Sequence, residues 1–350
     1  MITPGSTTES VEVAQDPPAD APASSSLTTL QHARRWQARY PLVQTAALIV
    51  IFLWGASTID GYDSSASLKS MLVLAALLGL SALPQTLVVL VGGLDLSIPG
   101  FISAGGVMTV ELSGAHHWSM MAIVIAIVVV CGLLGALNGF LCQRFGANPL
   151  IITLGMYAVL QGAILVWTKG NISATPPQSL TNWSSAIGTT LGISIPPVVV
   201  LWVLVAIVTG LVLARTVPGR RLYATGTNVR AARLALLRTG RIWTAVFAIS
   251  GVLSGLTGIF LAGYSSGASP AMGDPYLFQG LAAVIVGGTA LGSAHGDYWR
   301  TVLGALILTA LTTILVGKGF DSADTQMLFG FIILIVVAGY GRSQRLRDRV

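Results

Sequence analysis

Charge is scarce in this chain. Asp, Glu, Lys and Arg make up 9% of its 350 residues, against 53% apolar residues. Together with a mean hydropathy of +0.78, this excludes an ordinary soluble globular protein, in which about a quarter of residues are charged. The chain reads as an integral membrane protein. Cysteines are also few: Cys131 and Cys142 lie within or at the end of one apolar stretch, too few for a disulfide framework or a thiolate zinc site. The absence of a G-x-y period excludes collagen, and the apolar content excludes a disordered chain. No G-x-x-x-x-G-K-[ST] phosphate loop occurs, and Lys318 in Val316-Gly317-Lys318-Gly319 has no following Ser or Thr, so the chain is not expected to bind or hydrolyse a nucleotide itself. There is no H-E-x-x-H motif and no Ser/His/acid set. The adjacent His116 and His117, beside Trp118 on a short loop, suit a membrane interface better than a metal site, and His295 stands alone. No catalytic residue, metal ligand or bound cofactor is expected.

What is abundant is glycine, with 40 residues alongside 15 prolines, both commoner in membrane helices than in soluble ones. Apolar runs near the length that a hydrocarbon core of about 30 Å demands of a helix recur ten times: Pro41 to Ile59, Ser70 to Val91, Leu96 to Leu112, Trp118 to Leu141, Pro149 to Trp167, Pro197 to Ala214, Ile242 to Ala262, Leu277 to Leu291, Trp299 to Val316 and Met327 to Tyr340. The expected fold is an all-α membrane protein of about ten transmembrane helices. Several are short and glycine-broken, and these read as discontinuous helices, tolerated where protein or a water-filled cavity satisfies the freed backbone groups.

Basic residues set the orientation, because Lys and Arg in short loops hold their side of the membrane in the cytoplasm. With an internal amino terminus all 16 arginines fall on the cytoplasmic side: Arg34, Arg35 and Arg39 before the first span, Arg144, seven between Arg215 and Arg241, Arg300, and four from Arg342 to Arg349. Lys69, Lys169 and Lys318 all fall outside. Residues 1–30, rich in Ser, Thr, Pro and Ala, read as a disordered cytoplasmic tail and not as a signal peptide, which would begin with basic residues. Residues 31–341 form the membrane domain and 342–350 a basic cytoplasmic tail. Both termini are therefore expected inside, and the net charge of +6 reports topology rather than nucleic acid.

Three features stand out. First, Val88-Val89-Leu90-Val91-Gly92-Gly93, with Leu96, recurs 195 residues later as Ala283-Val284-Ile285-Val286-Gly287-Gly288, with Leu291, suggesting two weakly repeated parallel halves with one Gly-Gly break each. Transporters often place such breaks at the substrate pathway. Second, Gly92-Gly93-Leu94-Asp95-Leu96-Ser97 sets a carboxylate between two apolar runs. An acid at that depth is costly unless it satisfies N–H groups, so Asp95 or Ser97 is expected to cap the next helix. Third, the segment from Arg215 to Arg241 holds seven arginines and no acid. Val229 to Leu237 has helical composition, Ala231, Ala232, Leu234 and Ala235 forming an apolar face. Such a helix suits a soluble partner, or anionic membrane lipid. The polar run from Asn171 to Ser185 forms an outer loop.

These motifs resemble the inner-membrane permease subunits of ATP-binding-cassette importers for monosaccharides, the ribose-type group, over about Leu68 to Tyr340. Gly92, Gly93, Asp95 and Ser97 are similar to the G-G-[IL]-D-L-S signature. Asn138-Gly139, then Asn148-Pro149 and Thr153-Leu154-Gly155, are similar to the N-G and P-F-I-x-T-L-G elements. Gly219, Arg220, Tyr223, Gly226, Asn228, Ala231, Ala232 and Arg233 look like the ATPase-coupling loop, and Gly287-Gly288-Thr289 like the late Gly-Gly motif. The resemblance implies a plasma-membrane permease, usually a homodimer, powered by two cytoplasmic ATPase subunits that use ATP and magnesium, and fed by an extracytoplasmic binding protein that carries the sugar, whether ribose, xylose, galactose or a relative. Three departures are visible: Val229-Arg230 where relatives have an acid, Ala235-Leu236-Leu237 where they have Ser-Gly-Ile, and Gly292-Ser293-Ala294-His295-Gly296-Asp297 where they have more glycine. The competing class is a stand-alone secondary transporter. Proton coupling usually draws on several intramembrane acids or histidines, and here Asp95 alone lies well inside a break.

Overall fold

A computed structural model describes residues 41–190, 192–289 and 294–347. The leader, Arg34, Arg35, Arg39, Leu291, Gly292-Ser293 and Arg349 lie outside the described residues, as do the side chains of Arg342, Arg345 and Arg347. The described residues form thirteen α-helices: α1 (Leu42–Thr58), α2 (Ser65–Leu90), α3 (Ile98–Val110), α4 (Met120–Phe145), α5 (Pro149–Thr168), α6 (Gln178–Ser184), α7 (Pro197–Arg215), α8 (Val217–Thr227), α9 (Val229–Leu234), α10 (Thr239–Ser265), α11 (Pro275–Val286), α12 (Tyr298–Gly317) and α13 (Ser322–Arg347). Each of the ten apolar runs corresponds to one of these helices. Six (α2, α4, α5, α7, α10, α12) are long and apolar enough to cross a bilayer. The others are shorter or apolar only in part. The basic segment after Tyr340 continues α13 as far as Arg347.

Helix starts follow the local chemistry. Ser64, Ser119, Asn148, Thr216, Asn228 and Asp297 each accept a backbone N–H of the helix they precede, satisfying donors that a helix start leaves open. α2 is buried almost throughout its second half despite Pro84. It forms the centre of the bundle, against α10, α11, α12 and α7. Val73, Leu77, Leu80 and Trp202 lie in the core there, and Tyr298 Oη donates to Gly79 O at 2.7 Å.

On the other side, α10 packs along α3 and α4 through glycine. A Cβ at Gly105, Gly135, Gly251 or Gly258 would overlap the backbone carbonyl of Gly255, Phe247, Cys131 or Ile102 respectively. Membrane helices associate by close backbone approach of this kind, since lipid supplies no hydrophobic drive between them. Within the polar segment 171–185, α6 packs on α10.

Candidate functional site

The first break follows α2. The N–H of Gly93 donates to Val88 O at 2.9 Å and that of Gly92 to Val89 O at 3.0 Å, with Gly92 left-handed at φ +94°, a helix-ending turn that favours glycine. The second break repeats the turn: Thr289 N–H donates to Val284 O at 3.1 Å, Gly288 N–H to Ile285 O at 2.9 Å, and Gly288 has φ +94°. The geometry therefore pairs Gly92 with Gly288 and Gly93 with Thr289. The sequence match, which pairs Gly92 with Gly287, is one residue out of register, because the turn selects the glycine at its left-handed position rather than the glycine that fits the string of letters.

Beyond the first break the polar residues converge. Asp95 Oδ1 accepts the N–H of Ser97 at 2.9 Å and also the Ser97 hydroxyl, and Oδ2 accepts the Ser250 hydroxyl at 2.7 Å. Asn138 Nδ2 donates to Ser97 Oγ at 3.0 Å, and Thr153 Oγ1 accepts the N–H of Leu96 at 3.0 Å. All five side chains are buried. The carboxylate thus ties the break to α10 while α4 and α5 close over it. Asp95 satisfies the N–H of Ser97, the residue before α3, and Ser97 makes no side-chain cap of its own. The expected side-chain cap of α3 is therefore not made: Asp95 holds the N–H of Ser97, which precedes the helix, instead of an N–H within it. Asn148 stands apart, capping α5 through Leu150 N–H at 3.0 Å. Ser250 was not readable as a partner: it is one serine in an apolar span, 155 residues from Asp95.

Among the described residues, no such network of side chains is seen at the second break. Gly287 is pressed on the Arg300 carbonyl, where a Cβ would overlap it. Thr289 is buried, and its hydroxyl finds no partner among the described residues. Asp297 caps α12 through Arg300 N–H at 2.9 Å and pairs with the Arg300 side chain at 3.6 Å.

The two breaks meet at α8. Gly226 lies so close to Leu90 that a Cβ would overlap its carbonyl, and the same Cβ would come 3.0 Å from Ala294. Tyr223 Oη donates to Gly296 O at 2.8 Å. Burial, with a smaller contribution from Asp297, pushes the Tyr223 phenol up to about 12, so it is a hydrogen-bond donor at any physiological pH. Gly219 permits the tight turn from α7, a Cβ there overlapping Leu213 O. Arg220 is exposed. α9 is capped by Asn228 through Ala231 N–H at 3.0 Å, and Arg233 Nε donates to Thr239 Oγ1 at 3.2 Å.

α9 ends at Leu234, short of the expected Leu237. Only Ala232 of its apolar residues is buried, while Leu234 and Leu236 are 85% and 90% exposed. The apolar face is thus mostly open, with Leu234 outward among arginines and Ala232 turned in. Leu236 takes φ +59°, the conformation that costs a non-glycine residue about 1–2 kcal/mol, at the position where the resemblance has glycine.

A family described as branched-chain amino acid transport system / permease component matches residues 67–338, a stretch that includes both breaks and α8–α9. The chain belongs to this permease family. It is 29% identical over 303 residues to the ribose import permease protein RbsC of Escherichia coli (strain K12), covering 85% of this chain and 92% of that protein. It is 31% identical over 281 residues to RbsC of Bacillus subtilis (strain 168), covering 77% and 83%, and 28% identical over 324 residues to the fructose import permease protein FrcC of Rhizobium meliloti, covering 91% and 89%. No solved structure matches the chain significantly. The family's members are membrane components of transport systems, so the site is read as a transport device, not an enzyme centre.

Proposed function

We propose that this permease is the membrane subunit of an ATP-driven monosaccharide importer, working as a homodimer in the plasma membrane. The end that carries α8 and α9 faces the cytoplasm and receives two separate ATPase subunits, which use ATP and magnesium. The opposite end, with Lys69, Lys169 and Lys318, faces an extracytoplasmic sugar-binding protein. Relatives named for ribose, fructose, D-allose and L-arabinose support the substrate class.

One observation carries the reading. The α8–α9 unit offers Arg220, Arg230, Arg233, Leu234 and Leu236 outward, while its inner side rests on both glycine breaks through Gly226 and Tyr223. A partner that grips the outer face when it binds ATP would move the two breaks together. Coupling follows only if the nucleotide-bound partner has different affinities for two arrangements of the bundle. A stand-alone exchanger would need titratable groups open to solute, whereas Asp95 is enclosed by neutral donors.

The test is uptake of labelled ribose or fructose into proteoliposomes. Transport should require the binding protein, the ATPase subunits and ATP. Uptake by the chain alone would overturn the proposal. Arg233→Glu should weaken copurification of the ATPase subunit while leaving membrane insertion intact.

A further inference from the structure

A cleft of about 880 Å³ opens between α7 and α10, roofed by the start of α8. Its walls are apolar, with Leu87, Val208, Ala245 and Ile249 among them, and Arg221, Arg238 and Arg241 stand at one end with no acid in the lining. None of the three arginines forms an ion pair with a described residue. The cleft reaches Leu253, twelve residues beyond Arg241 on α10, or about 18 Å at 1.5 Å per residue. That distance is a little more than half of a hydrocarbon core of about 30 Å. The shape is thus a cationic mouth at the level of the headgroups above an apolar slot as deep as one leaflet.

We propose that this cleft binds one anionic phospholipid, its phosphate held by Arg221, Arg238 and Arg241 and an acyl chain lying along α7 and α10. Charge complementarity selects this occupant. A second copy of the chain related by a twofold axis along the membrane normal would set the same arginines against each other, with no acid between them, a juxtaposition that costs several kcal/mol. A soluble partner meets the mouth but has no means of filling a slot that descends to mid-bilayer. A free phosphate has no use for the apolar length. Basic pockets between membrane helices hold lipid headgroups by the same physics.

The experiment is a native mass spectrometry titration of the full-length detergent-purified chain with phosphatidylglycerol and with phosphatidylcholine of identical acyl chains. Phosphatidylglycerol should bind at least about tenfold more tightly, and each of Arg238→Gln and Arg241→Gln should weaken it about fivefold. Arg215→Gln and Arg230→Gln, equal in charge change but outside the lining, should leave it unchanged. Ala245→Trp, which fills the slot without touching the charges, should also reduce lipid binding in protein that remains monodisperse. Equal affinity for the two lipids would overturn the proposal, as would indifference to both lining arginines. So would full displacement by inorganic phosphate at the concentration that saturates Ala245→Trp, which indicates a free-anion site. Efficient Ile249→Cys cross-linking between two copies would assign the cleft to the dimer and overturn it too.

Discussion

The two breaks end their helices with one and the same turn, yet they are held in different ways. After α2 the chain is locked by a buried carboxylate that draws Ser97 and Ser250 onto itself, with Asn138 and Thr153 closing the site. After α11 it rests on backbone packing against Arg300, and the buried Thr289 hydroxyl has no partner among the described residues. A turn therefore specifies where a helix stops, whereas the residues beyond it specify how firmly the stop is held. The first break is the anchored one. α8 touches both, through Gly226 at the first and through Tyr223 and Gly296 at the second, and the second is the less firmly held of the two.

The contrast is broken most severely at Asp95. Asp95→Ala leaves three buried donors without an acceptor, each costing about 1 kcal/mol or more, so destabilisation of at least about 3 kcal/mol is expected. It should appear as a large drop in the unfolding midpoint of detergent-solubilised protein, whereas Asp297→Ala at the second break should cost only about 1 kcal/mol, the worth of a cap. Comparable losses in the two variants would erase the distinction.

Gly226→Val comes next. It drives a side chain into the Leu90 carbonyl and lifts α8 off the first break, so ATP-driven uptake should fall about tenfold, equivalent to about 1.4 kcal/mol, at unchanged membrane levels. Uptake at the wild-type rate would show that α8 need not touch α2.

Tyr223→Phe removes the link to the second break alone, at about 1 kcal/mol. The native phenol holds its proton more tightly than the unfolded chain does. Its contribution is complete below the unfolded value of about 10 and is lost as pH rises towards about 12. The difference in unfolding midpoint between wild type and Tyr223→Phe should therefore shrink between those two limits, and a constant difference would refute the assignment.

The smallest effect is expected of Thr289→Val, which removes a buried hydroxyl that has no partner among the described residues, at constant shape, and should be neutral or slightly stabilising. Ser250→Ala, by contrast, should cost about 1 kcal/mol at the anchored break. Thermal midpoints of the two variants provide the check.

Much of this was legible in the residues. The apolar runs located the membrane helices because bilayer thickness imposes length directly on sequence. Gly92, Gly288 and Asp95 announced themselves because a left-handed turn selects glycine and a carboxylate between two apolar runs is rare in a chain with only 13 acidic residues. Partners across the bundle left no such trace. Ser250 has the local setting of any other serine in a helix, and only packing brings it to Asp95. The register of the repeat was hidden for a related reason, since either glycine of a pair satisfies the letters and only one takes the positive φ. The end of α9 was legible only coarsely, because helical composition runs on to Leu237 while the helix stops at Leu234.

The seam where α10 meets α3 and α4 bears on motion. Gly105, Gly135, Gly251 and Gly258 bring main chain against main chain there, so that no side chain stands between the helices at those four points. Such a contact resists shear, and the three helices should travel as a single slab. Whatever rocking opens and shuts this protein must then be taken up along softer borders, such as those of α7, where the Trp202 and Trp299 side chains fill the space at Gly79 and Gly210.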